Sequence, residues 1–107
     1  MPQSLDALWG AALEKFDLDI ASQTLTIHCR LEVDSQITHH ILQFREVAEV
    51  RFFNSISGPW NYAELTEIHV NETPSGGVQA EIILWSESAG LVAIASSVEL
   101  DGESVMV

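Results

Sequence analysis

The sequence predicts a mainly β domain: an antiparallel sheet of about six to seven strands, curved or sandwich- or barrel-like, with at most one or two short helices. Three observations carry this. "TLTIHCRLEV" alternates apolar and polar residues over its whole length, and "KFDLDI" does the same just upstream. The later apolar stretches are cut by short breaks rich in Asn, Ser, Gly and Pro. A length of 107 residues suits one domain, 1–107, with a single core.

The elements follow in order. Leu5, Leu8, Trp9 and Ala12 have helical spacing and Ser4 suits a helix cap, but Gly10 opposes a helix there. A short turn or helical piece near 4–9 is expected, then a strand from about Ala11. In "KFDLDI", Phe16, Leu18 and Ile20 are expected to point inward and Lys15, Asp17 and Asp19 outward. In the next strand Leu25, Ile27, Cys29, Leu31 and Val33 share the apolar parity. The short link "ASQ" makes the two an antiparallel hairpin.

"THHILQFREVAEVRFFN" follows. His40, Leu42 and Phe44 share one parity; Val47 shifts it, and Val50 and Phe52 continue. Such a slip marks a bulge or a bend between two shorter strands. "NSISGPW" is a loop, "LTEIHV" a strand, and "NETPSGG" a break. "VQAEIILWSE" and "LVAIASSVEL" form a second hairpin around "SESAG", with Val92, Ile94, Val98 and Leu100 on one parity and Ser96 as the exception. "DG" at 101–102 is a turn, and "ESVMV" a tail or short edge strand.

Sixteen Asp and Glu against four Lys and Arg give a formal charge of −12. That field repels nucleic acid and anionic lipid, so neither is an expected partner. It serves solubility or, in the sharper reading, captures a basic partner protein. No apolar run approaches the roughly 20 residues that span a bilayer, and the N-terminus lacks the basic and apolar blocks of a signal peptide. The expected location is therefore cytoplasmic, which the lone Cys29 suits.

Motifs for catalysis are scarce. Neighbouring residues on a strand face opposite ways, so His28–Cys29 and His39–His40 do not chelate as pairs, and no zinc or EF-hand spacing occurs. No cofactor is expected. Cys29 reads as a small core residue rather than a nucleophile, and no serine lies in a Gly-x-Ser-x-Gly elbow.

The stretch "GPWNYAELTEIHV" gathers the candidate binding residues Trp60, Tyr62, Glu64 and Glu67. Trp60 suits a corner plug at a loop-to-strand junction, with Tyr62 and a glutamate facing outward beside it. The order "FDLDIASQTLTIHCRL", "ILQFREVAEVRF", "PWNYAELTEI", over roughly residues 8–100, resembles small bacterial domains of the YxiG-like kind; Trp9-Gly10 departs from the His-Asp pair with which that family often begins. The resemblance implies an immunity-like protein that meets a toxin. Two function classes follow: a non-catalytic binding or interaction domain for a basic partner, and a small ligand-binding barrel or enzyme using Glu64, Glu67 and a histidine.

Overall fold

The computed structural model describes residues 8–55, 63–84 and 89–105. Among these there is no α-helix, and Leu8–Gly10 form a turn. The described residues form nine strands: β1 (Ala12–Asp19), β2 (Thr24–Val33), β3 (Gln36–Arg45), β4 (Glu49–Asn54), β5 (Ala63–Glu72), β6 (Val78–Leu84), β7 (Ala89–Ala95), β8 (Ser97–Leu100) and β9 (Glu103–Ser104). They make one antiparallel sheet in the order β4-β7-β6-β5-β1-β2-β3-β8-β9. The mainly β class holds, with more strands than the six or seven expected.

Turn chemistry builds the first meander. Asp19 closes the β1–β2 hairpin, its Oδ1 accepting from the amides of Ala21 (3.1 Å) and Ser22 (3.2 Å). Asp34 and Ser35, at φ 51° and 66°, make the two-residue turn from β2 to β3. Asp101 and Gly102, at φ 52° and 85°, do the same between β8 and β9.

The extra strands come from a corner. β3 ends at Arg45, Glu46 adopts φ 53°, and the chain resumes as β4. Beside it the predicted last strand also breaks, at Ser96, into β7 and β8. The ladder crosses both breaks: the Ser96 amide donates to Arg45 O (3.0 Å) and the Ala48 amide to Ile94 O (2.8 Å). Both strands bend together, so neither loses its partner. The break also corrects the predicted parity. In β7 it is Leu91, Ala93 and Ala95 that join the core, while Val98 and Leu100 join it from β8.

Two further irregularities aim side chains. The β1–β2 register slips between Leu13 and Lys15, and the β5–β6 register between Leu65 and Glu67. The second slip makes Thr66 the extra residue, so Leu65 and Ile68, three apart, both turn inward and are buried. Leu25, Ile27, Cys29, Leu42, Phe44, Leu65, Ile82 and Leu100 anchor the core that results. No polar or charged residue is buried among the described residues. No helix long and apolar enough to cross a membrane occurs among them.

The inward expectation for β1 needs correction. Phe16 and Leu18 lie opposite Ile27 and Leu25 and so share the core-facing side. They are nevertheless 40% and 45% exposed, and Ile20, in the turn beyond the strand, is 82% exposed. β5 begins at Ala63, opposite Leu13, and among the described residues pairs with β1 only at Ala12 and Leu13. Among the described residues Lys15–Asp19 pairs with β2 alone.

Candidate functional site

Of the four residues singled out in the sequence, Trp60 and Tyr62 lie outside the described residues. Glu64 and Glu67 stand on β5, on the side opposite buried Leu65 and Ile68, which places them on the outer face. Glu64 is level with Ala12 of β1. Glu67 Oε2 lies 3.3 Å from His69 Nε2, and the Trp9 ring meets the His69 ring edge-on, centroids 5.8 Å apart. The grouping of a glutamate with a histidine is therefore present, but on an open strand face with both side chains about half exposed.

The histidines are dispersed. His39 Nδ1 faces Glu14 Oε1 at 3.4 Å, and His69 belongs to β5. Among the described residues no three His, Cys, Asp or Glu side chains gather as a metal site. Cys29 is buried, as its parity predicts, and burial together with the nearby charges of Glu14 and Asp101 pushes its thiol up to about 11. A thiol so protonated is a poor nucleophile at neutral pH.

A constellation that local sequence reading missed sits at the β3–β8 end. His40 Nδ1 lies 2.7 Å from Asp101 Oδ2, and His40 Nε2 lies 2.9 Å from Thr38 Oγ1. Asp101 Oδ1 accepts from the Ile41 amide (2.8 Å), and the Asp101 amide donates back to Ile41 O (2.8 Å). Burial of Asp101 opposes its charge. It is outweighed by the His40 hydrogen bond, the Ile41 amide and the charge of His40, so the carboxyl sits below its usual range. An ionised Asp101 only accepts, which fixes a proton on Nδ1; in the neutral ring Nε2 then accepts from the Thr38 hydroxyl. The chain hydroxyl–imidazole–carboxylate has the connectivity of a nucleophile relay. Here the Asp101 carboxylate spends its second oxygen on the strand backbone, and the relay fastens the β8–β9 turn to β3. One signal was legible: His40 shares the parity of Leu42 and Phe44, which puts a polar ring on the core-facing side. Asp101, 61 residues away, was not.

The second site is an opening. Leu18, Asp19, Ile20 and Gln23 face Val47, Ala48, Glu49 and Val50 across a groove of about 250 Å³. The Val47 amide donates to Gln23 O (2.8 Å) and ties the two sides together. From this groove two strands lead away, β1 back to Phe16 and β4 on to Phe52. Phe52 lies opposite buried Leu91, yet it is 61% exposed because β4 is the terminal strand of the sheet. The groove thus has exposed Leu18 and Ile20 beside the carboxylates of Asp19 and Glu49, and Phe16 and Phe52 are exposed on the strands that lead from it.

The charges have a simple distribution. All four Lys and Arg side chains already face a carboxylate: Lys15–Asp17 (3.2 Å), Arg30–Glu14 (3.8 Å), Arg45–Glu99 and Arg51–Glu49 (2.7 Å). The excess of 12 carboxylates (16 less 4) thus has no Lys or Arg of its own chain to answer it. No protein-family model matches this chain, and no curated protein sequence matches it.

Proposed function

We propose that the chain is a cytoplasmic, non-catalytic binding domain whose acidic surface takes a basic protein partner, in the manner of the immunity-like domains it resembles. The observation that supports this is the uncompensated charge: every Lys and Arg is already paired, and no described carboxylate is buried. A surface field of that sign accelerates encounter with a basic partner and disfavours nucleic acid and anionic lipid. The test is a pull-down from the native host, followed by titration of the purified pair. A 1:1 complex is expected whose affinity falls on the order of tenfold or more between about 50 and 300 mM salt. A complex indifferent to salt would overturn the reading.

The Glu67–His69 contact favours a second reading, a small ligand-binding barrel or enzyme using Glu64, Glu67 and His69. Its discriminator is a small molecule whose binding is lost in Glu67→Gln while the basic partner still binds.

A further inference from the structure

We infer that the cavity between the β3–β4 corner, the β5–β6 turn and the β7–β8 corner is a pocket for one lysine side chain, which the basic partner presents. This rests on the binding-domain reading above and deepens it by naming a site and the group that enters it.

The cavity has a volume of about 200 Å³. Glu46 and Ala48 wall it from the β3–β4 corner, Thr73 and Ser75 from the β5–β6 turn, and Ile94 and Ser96 from the β7–β8 corner. These segments meet at the ends of β5, β6 and β7 that lie away from Ala63 and from the Leu84–Ala89 connection. Both walls are held by the backbone. On one side the paired bend fixes Glu46 at φ 53°. On the other, the Thr73 amide donates to Gly77 O (2.9 Å), the Gly76 amide to Thr73 O (3.0 Å) and the Gly77 amide to Thr73 Oγ1 (2.9 Å). That turn sits flush against β7, since a side chain at Gly77 would start 2.5 Å from Ala95 O. A site already shaped costs little to order when its ligand arrives.

The lining selects the occupant. Among the described residues it offers the Glu46 carboxylate and the hydroxyls of Thr73, Ser75 and Ser96, and no cation. Thr73 Oγ1 and Ser75 Oγ lie 3.0 Å apart; whichever donates, the Ser75 oxygen keeps a lone pair. The four Lys and Arg side chains pair with Asp17, Glu14, Glu99 and Glu49, and none of these pairs includes Glu46. An anion is repelled here, and a neutral polyol leaves the carboxylate unanswered. An ammonium group answers it and has three donors for the carboxylate and hydroxyls together. Its aliphatic stem lies along Ala48 and Ile94. The volume falls below the roughly 300–1,000 Å³ of sites for whole small molecules, so it suits one side chain. Ala48 also lines the groove that holds Asp19 and Glu49, which adds to the negative field beside the cavity. A second copy is a poor source, because the one lysine of this chain, Lys15, is matched by Asp17.

The test uses the full chain, the capped peptide Gly-Ser-Lys-Ser-Gly, its Nε-acetyl-lysine form and cadaverine, with binding read from amide shifts in NMR titrations. The lysine peptide should shift the amides of Glu46, Ser75 and Ser96 together, and acetylation, which removes the charge, should weaken it by about tenfold or more. Glu46→Gln should weaken it to a similar degree and Ser75→Ala by about threefold, whereas Glu32→Gln, which removes the same charge from an exposed position on β2, should change it by less than about twofold. The complex with the native partner should distinguish Glu46→Gln from Glu32→Gln in the same way, with matched melting curves showing that both variants are folded. Equal effects of Glu46→Gln and Glu32→Gln, on peptide and partner alike, would overturn the pocket while leaving capture of a basic protein standing. Binding of the lysine peptide in the pocket, with no salt-sensitive complex from the host, would overturn the partner as its source and the binding-domain reading with it. Cadaverine bound about tenfold more tightly than the peptide would show that the occupant is a free amine instead of a protein side chain.

Discussion

Asp101 is the side chain on which the β8–β9 turn depends. Its two oxygens hold different groups, the Ile41 amide and the His40 ring, so it joins a turn to the middle of β3. Its folded-state carboxyl is held below the unfolded value, so the stabilisation is fully present above the unfolded value, near 4, and is lost as pH falls through the folded one. Asp101→Asn keeps the shape and removes the charge. We expect it to lower stability by about 1 kcal/mol at pH 6 to 7, as for an exposed charge-assisted hydrogen bond. The deficit should shrink as pH falls below about 4 and through the lower folded-state value, as the native carboxyl takes up its proton. Urea unfolding of both proteins across that range measures it. A deficit independent of pH would mean that the Asn side chain disturbs the turn rather than the charge.

The strands show how far alternation is a guide. It located β2 and the facing of Cys29 correctly because β2 lies between β1 and β3 over Thr24–Arg30, so its apolar side is covered there; Val33, beyond the end of that pairing, shares the parity but is 57% exposed. It misjudged Phe16, Leu18 and Ile20 because period two reports which way a side chain points, not whether anything lies over it. The bend after Phe44 was legible in the slip at Val47. Its twin at Ser96 was not, since Val92, Ile94, Val98 and Leu100 give a continuous pattern across the break. Val92 is apolar and buried although it lies on the side of β7 away from the core cluster, so residue type alone could not tell the two sides apart. Nor did local pattern reveal that Thr38, His40 and Asp101 meet, because only the β3–β8 register brings them together. Of the candidate site, Glu67 and His69 share a strand, as "LTEIHV" already implied, and Glu64 joins them because β5 begins earlier, at Ala63.

At the β4–β7–β6 junction a packing detail supplies a stability prediction. A side chain on Gly90 would start 2.6 Å from Ile82 O and 2.6 Å from the Phe53 ring, which lies over the glycine. The backbone contact has little freedom to yield. Gly90→Ala should destabilise the domain by about 1–3 kcal/mol, the usual range for overpacking, read as a lower urea midpoint with unchanged slope. Gly90→Ala combined with Phe53→Ala should recover little of this, because Ile82 O stays where it is.

The whole molecule joins an apolar core, in which among the described residues only the Thr66 hydroxyl is buried without a partner, to an unbalanced exterior. Within the core no charge is buried among the described residues, so net charge has little bearing on how the strands pack. That separation lets the surface carry −12 at modest cost to the fold. Added salt should therefore stabilise the isolated domain slightly by screening self-repulsion, while weakening any complex with a basic partner. Thermal melting at low and high salt, set beside the titrations of the complex, checks the opposite signs. A domain destabilised by salt would indicate that its ion pairs outweigh its repulsion.

The paired bend at Glu46–Ala48 and Ser96 also has a kinetic meaning. β1, β2 and β3 form by short hairpins, and β5, β6 and β7 by another local meander, but the corner joins residues about fifty apart, such as Arg45 and Ser96. Closing so long a loop costs entropy before any contact repays it, and non-local β pairing is the slow part of folding. The two meanders should be structured first and the corner zipped last. Substitutions at Ala48 or Ser96 would then speed unfolding with little effect on the refolding rate, whereas Ile27→Val, within the first meander, would slow refolding. Stopped-flow chevrons of the three variants decide the order, and a refolding rate most sensitive to Ala48 would put the corner in the nucleus instead.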